Sequence, residues 1–139
     1  MFDLYSSKLS VLIINRNMSV FSVIDYIRKG CNDNVHMIFI KKAQRVLNAI
    51  EPGSVVPIHR HQKTSETVVV VRGRVVEEYY DDARNCVAKI ELSAGGPASA
   101  LNIPAGQWHT LRALDSGTVI LEMKDGAYEA IQPEDIMTI

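Results

Sequence analysis

The chain has 139 residues, of which 15 are basic and 16 acidic, giving a formal charge of −1, and 47% are apolar. This length suits a single domain with its own hydrophobic core. The balanced charge argues against a nucleic-acid partner or an anionic membrane surface, and no apolar run reaches the roughly 20 residues that span a bilayer.

One helix is predicted near the N-terminus. The apolar residues of 19–29 follow helical spacing, with Ser19 as N-cap and Gly30 just past the end. A strand is predicted before it, over 8–15. We assign both elements to an N-terminal extension that covers residues 1–34.

The same region bears on the cellular compartment. The apolar run after Lys8 stops at Asn15, which is shorter than the apolar part of a signal peptide. The two isolated cysteines, Cys31 and Cys86, do not form a disulfide framework. We therefore expect a cytoplasmic protein.

From residue 35 to residue 139 the sequence reads as a β domain. Short strand-like runs are separated by turn signals rich in glycine, proline and aspartate. The predicted strands are 36–40, 45–50, 55–58, 67–72, 75–80, 87–92, 100–103, 110–114 and 118–123. Many short strands at this spacing indicate a sandwich or barrel. Residues 68–71 are continuously apolar, so we expect that strand to be covered on both faces, by a second sheet or by a partner subunit.

Three of the four histidines lie in two such turn contexts. His59 and His61 are two residues apart, so on a strand both side chains leave the same face, and Glu66 follows a short polar loop. His109 follows a Pro-Ala-Gly turn. Neutral imidazoles and a carboxylate are ligands of divalent transition metals. If the two segments meet, His59, His61, Glu66 and His109 form one mononuclear metal site. The ligand set alone does not choose between iron, zinc, manganese, nickel and copper.

These residues carry a resemblance to the cupins. The first cupin motif is glycine, five residues, His-x-His, four residues, Glu, six residues and glycine, and every fixed position matches between Gly53 and Gly73. The second motif is matched at Pro104, Gly106 and His109. It departs at its final asparagine, where Ala113 stands, and at its leading glycine, where Ala98 stands.

A finer resemblance extends over roughly residues 43–130. The strings QRVLNAIEPGSVVPIHRH, PAGQWHTL and SGTVILEMKDGAY resemble the WbuC-type cupins, small metal-binding proteins often associated with polysaccharide and O-antigen biosynthesis. The resemblance implies a mainly β cupin fold, a jelly-roll barrel, here with a short N-terminal helical segment. It also implies a sugar-like small molecule as substrate.

Four further residues are candidates for contacting that small molecule. Trp108 and either Tyr79 or Tyr80 could line a ligand cavity. Arg45 and Asn48 are polar residues in an otherwise apolar strand and could bind an anionic group inside the barrel, although a solvated strand face explains them slightly better.

Three functions stay open at this point. The first is a metal-dependent enzyme, an isomerase or a dioxygenase, for which no residue stands out as general base. The second is a non-catalytic binding or sensing module, and the third is a site in which zinc only stabilises the barrel. Exposed sheet edges and the apolar strand at 68–71 favour a homodimer.

Overall fold

The computed structural model of the protein describes residues 9–12, 34–38, 43–126 and 129–139. The predicted helix over 19–29 lies outside these ranges. Within them the regular secondary structure is almost entirely β-strand. The strands are β1 (Leu9–Leu12), β2 (Asn34–Ile38), β3 (Ala43–Ile50), β4 (Ile58–His59), β5 (Glu66–Arg72), β6 (Arg74–Tyr80), β7 (Cys86–Ser93), β8 (Ala100–Ile103), β9 (Trp108–Ala113), β10 (Thr118–Asp125) and β11 (Ile136–Met137), with a 3-10 turn at Pro133–Asp135.

The strands form two sheets. One has the order β1-β2-β3-β10-β5-β8, and the other has the order β11-β4-β9-β6-β7. The pairing is antiparallel except between β1 and β2, which are parallel. Consecutive strands such as β5 and β6 lie in different sheets, as in a jelly roll. The predicted mainly β jelly-roll fold is confirmed.

The hydrophobic core lies between the two sheets. Residues of both sheets alternate inward and outward along each strand, and the inward apolar ones form a single cluster. Its buried members are Ile50, Val68, Val70, Val75, Leu92, Ile103, Leu111, Ala113 and Ile120. We call the sides of the sheets that carry this cluster the inner faces.

Two strand predictions differ from the structure. The expected strand over 55–58 is reduced to Ile58–His59, because Pro57 has no N–H to donate to a neighbouring strand. In β5, Val68 and Val70 are buried, but Val69 is half-buried and Val71 is 43% exposed. The single chain therefore covers one face of this strand and only part of the other.

Among the described residues, no helical segment combines the length and apolarity that crossing a bilayer requires.

Candidate metal centre

The two histidine segments predicted to meet do so at one end of the barrel. His59, the last residue of β4, is in register with His109, the second residue of β9. The N–H of Gly106 donates to the carbonyl oxygen of His61 over 2.8 Å, which ties the Pro-Ala-Gly turn to the first histidine segment. Glu66 opens β5 in the opposite sheet and is 3% exposed.

Each of the four side chains offers one ligand atom, and these atoms all lie within 4.8 Å of one another. Oε2 of Glu66 is 3.1 Å from Nε2 of His61 and 3.8 Å from Nε2 of His109. Ligands bound about 2.1 Å from one ion lie about 3–4 Å apart, so this group needs little movement to enclose a metal. The donor set and its spacing fit one divalent transition ion.

The backbone orients two of the imidazoles. Nδ1 of His59 is 2.9 Å from the carbonyl oxygen of Pro57, and Nδ1 of His109 is 2.9 Å from that of Gln107. Because a carbonyl oxygen only accepts, each Nδ1 carries the hydrogen, and in the neutral ring Nε2 keeps its lone pair. Such hydrogen bonds fix the orientation of metal-binding histidines.

Burial and charge hold the site in the protonation states that a metal requires. Burial, together with the neighbouring His109, lowers the pKa of His59 to about 3. Burial alone would raise the pKa of Glu66, but the imidazoles of His109 and His61 and the ammonium of Lys124 hold it well below its usual range. A neutral imidazole and an ionised carboxylate are therefore the native forms of His59 and Glu66.

Lys124 is part of this site, although a position near a strand end predicts exposure. It lies on β10 in register with Glu66, and its side chain is only 12% exposed. Its Nζ is 2.9 Å from Nε2 of His61 and 3.2 Å from Oε2 of Glu66. A lysine gives no motif signal, and only the pairing of β10 with β5 reveals its place.

The inner faces carry further polar groups next to the site. Glu77 is 1% exposed, and neither of its carboxylate oxygens has a hydrogen-bond partner among the described residues. Burial and the charges of Glu66 and Glu122 raise its pKa to about 9, and burial and Glu66 raise the pKa of Glu122 to about 8. Glu78, the next residue on the outer face, is instead paired with Lys89 over 2.9 Å. The sequence did not reveal Glu77, because Glu77 and Glu78 are adjacent in β6 and the strand therefore shows no alternation of apolar and polar residues at this point.

Of the four residues predicted to contact the small molecule, two lie on the inner faces of the sheets and two on the outer faces. Tyr79 is in register with His109 and packs against the core, and Asn48 is buried on the inner face opposite Ile120. Arg45 is exposed on the other side of β3, where its Nη1 donates to the carbonyl oxygen of Gln44 over 2.6 Å. It is not brought to the four-residue group.

Trp108 also faces away from that group. It precedes His109 on β9, so its side chain leaves the opposite face of the strand. Its Nε1 donates to Oδ1 of Asp82 over 3.0 Å, and the guanidinium carbon of Arg60 lies 4.2 Å from the ring centroid. The indole therefore supports β9 from outside the barrel.

In sequence, part of the chain is similar to a family whose description names no activity. A family described as "Domain of unknown function (DUF6016)" matches residues 25–92, a range that includes His59, His61 and Glu66 and ends before His109. No curated protein matches the chain.

Comparisons in structure give proteins with the cupin fold. BH2720 from Bacillus halodurans is similar with a TM-score of 0.63 at 18% identity, over 84% of this chain and 86% of that one. The capsular polysaccharide assembling protein CapF from Staphylococcus aureus has a TM-score of 0.57 at 18% identity, over 77% and 31%. Oxalate decarboxylase from Bacillus subtilis has a TM-score of 0.53 at 19% identity, over 65% and 22%. The chain thus spans less than a third of the last two proteins, and the similarity concerns the fold.

Proposed function

We propose that the protein is a small metal-dependent cupin in which His59, His61, Glu66 and His109 hold one divalent transition ion. The observation that carries this proposal is the approach of their four ligand atoms to within 4.8 Å of one another. Three neutral imidazoles and one carboxylate leave a divalent ion with a net charge of about +1 and, on an octahedral metal, open positions.

An ion held in this way supplies Lewis-acid or water-activating chemistry and, if it is iron, oxygen chemistry. The chain's own residues do the rest. The carbonyl oxygens behind His59 and His109 keep both rings aimed at one point. In this proposal Tyr79 and Asn48, whose side chains lie on the inner faces, contact the bound molecule. The side chains of Arg45 and Trp108 lie on the outer side of their strands and do not reach it.

A small polar molecule is the substrate that this interior suits. Oδ1 of Asn48 and both carboxylate oxygens of Glu77 are buried without hydrogen-bond partners in the described chain. Buried polar atoms of this kind require hydrogen-bond partners, and the hydroxyl groups of a sugar-like compound, which both donate and accept, suit an amide oxygen and a protonated carboxyl alike. The WbuC-like strings, together with the similarity to a capsular polysaccharide assembling protein, support a role in polysaccharide or O-antigen biosynthesis.

The domain division, the oligomeric state and the cellular compartment belong to the same proposal. Residues 35–139 form the cupin domain and residues 1–34 an extension, of which β1 joins the first sheet beside β2. The homodimer is also part of this proposal, because the outer face of β5 leaves Val71 43% exposed and β7 is an edge strand of its sheet. The protein acts in the cytoplasm.

Metal content measured by mass spectrometry tests the central claim. We expect about one transition ion per chain in the wild type and almost none in His61→Ala or Glu66→Gln, because each variant removes one of four ligands. Lys63→Ala, at a neighbouring position whose side chain is 84% exposed, serves as control and keeps its metal. An absence of metal in every form after reconstitution contradicts the proposal. Metal together with tight ligand binding but no turnover favours the non-catalytic binding module.

A further inference from the structure

Lys124 places a positive charge where the ion's ligands converge. Its Nζ lies 2.9 Å from Nε2 of His61 and 3.2 Å from Oε2 of Glu66, and its side chain is 12% exposed. An ammonium group has three N–H donors and no acceptor. One of these donors meets the lone pair of His61 Nε2, and the charge lies at ion-pair distance from Oε2 of Glu66, so the ammonium occupies two of the atoms that an ion would use.

An ion and this ammonium compete for the same atoms. When His61 and Glu66 bind a metal, Nζ loses His61 as acceptor and comes to lie a few ångströms from a second positive charge. The acids that face it are Glu66, which the ion also uses, and Glu122, two residues earlier on the same face of β10. Asp125 follows it on the other face and is exposed. The loaded site therefore carries more positive than negative charge at its open positions.

We propose that Lys124 determines the specificity of the site by binding an acidic group, a carboxylate or a phosphate, of the molecule that occupies the ion's open positions. This inference rests on the proposed metal site and narrows its substrate from polar compounds to sugar acids or sugar phosphates. The negative charge of such a group binds the ion and accepts a hydrogen bond from the ammonium, and it thereby offsets the repulsion between the two positive charges.

The first arm of the test measures metal binding alone. In chelator competition with Zn²⁺ we expect Lys124→Met to bind the ion about tenfold more tightly than the wild type, because a competing cation is gone. Lys63→Met is the matched control. It removes the same charge from a side chain that is 84% exposed, and it leaves the affinity unchanged.

The second arm measures anion binding to the cobalt-loaded protein, whose visible absorption reports the ion's coordination. Acetate and inorganic phosphate distinguish the two acidic groups, and glycerol is the neutral probe. We expect both the wild type and Lys124→Arg to bind at least one anion, and Lys124→Met to bind it about tenfold more weakly. Lys63→Met again behaves as the wild type, and glycerol binds alike to every form.

The outcomes separate the two proposals. Failure of the wild type and of Lys124→Met to bind cobalt or zinc refutes the metal site, and the role of Lys124 falls with it. Normal metal binding with equal anion affinities in the wild type and Lys124→Met, or with no anion bound by the wild type, overturns only the role of Lys124.

Discussion

Gly73 passes the chain from β5 in one sheet to β6 in the other through a space that has no room for a side chain. Its φ is +77°, and a Cβ built there would meet Oγ1 of Thr118 at 2.5 Å and its Cα at 3.2 Å. Thr118 is itself fully buried and donates to the carbonyl oxygen of Asp115 over 2.7 Å, so it cannot move aside easily. The last glycine of the first motif is thus a packing requirement of the turn.

We expect Gly73→Ala to destabilise the protein by about 2–4 kcal/mol, from left-handed strain together with overpacking against Thr118. Gly53→Ala is the matched comparison, since its φ is +88° but no atom lies within 4 Å of a Cβ there. It should cost about 1 kcal/mol. Urea unfolding of both variants gives the comparison, and equal losses would contradict the steric explanation.

At the level of elements, the position of β4 depends on the C-terminal segment that pairs with it. β4 has only two residues, and it pairs with β9 on one side and with β11 on the other. The carboxylate of Asp135, just before β11, accepts hydrogen bonds from Nε of Arg60 over 2.9 Å and from Nε2 of Gln62 over 2.6 Å. These bonds hold the segment that joins the two histidines of the first motif.

Asp135→Asn should therefore loosen the metal site without touching a ligand. We expect a loss of about 1 kcal/mol in stability, as for a partly exposed ion pair, and zinc affinity reduced severalfold. Fluorescence of Trp108, the one tryptophan of the chain, should also change, because Arg60 packs over its ring. Glu134→Gln removes the neighbouring exposed carboxylate as a control. Equal metal affinity in the two variants would show that this segment does not support the site.

The elements that the sequence predicts are determined by local patterns, whereas the missed ones depend on which strands pair in the fold. β5 to β10 follow apolar runs between strong turn signals, and the ligand spacing is local, so both were predictable from the sequence. β11 was not, because two residues carry no periodic pattern and gain their partner only from the fold. Lys124 and Glu77 were missed because strand pairing and the choice of inner face place them, and neither is encoded by spacing along one strand.

At the scale of the whole molecule, the described part of the barrel interior holds two acidic groups that burial favours in their protonated form. Glu77 and Glu122 lie on the inner faces of opposite sheets, and burial raises their pKa values to about 9 and about 8. The folded chain thus retains protons that the unfolded chain releases near 4.5. Stability from these two groups is fully present below 4.5 and is lost as pH rises toward 8 and 9.

His59 has the opposite effect in a lower window. Its pKa falls from 6.5 to about 3 on folding, so its effect increases stability as pH rises from 3 to 6.5 and is constant above that. Glu66, whose pKa is lowered, changes stability only below 4.5. Of these four groups, only Glu77 and Glu122 therefore change stability between pH 6.5 and 8.

In that window we expect the metal-free protein to lose stability with rising pH, by up to about 1.4 kcal/mol per pH unit from Glu77 and by less from Glu122, which begins to ionise in the folded chain near pH 8. Glu77→Gln should flatten the slope and raise the free energy of unfolding at pH 8, because an amide keeps the volume and carries no charge to bury. Glu78→Gln is the control, since its outer-face carboxylate is paired with Lys89 and its pKa is lowered. Urea unfolding at several pH values in the presence of a chelator measures the slopes. An unchanged slope in Glu77→Gln would mean that the interior does not hold this acid in its protonated form.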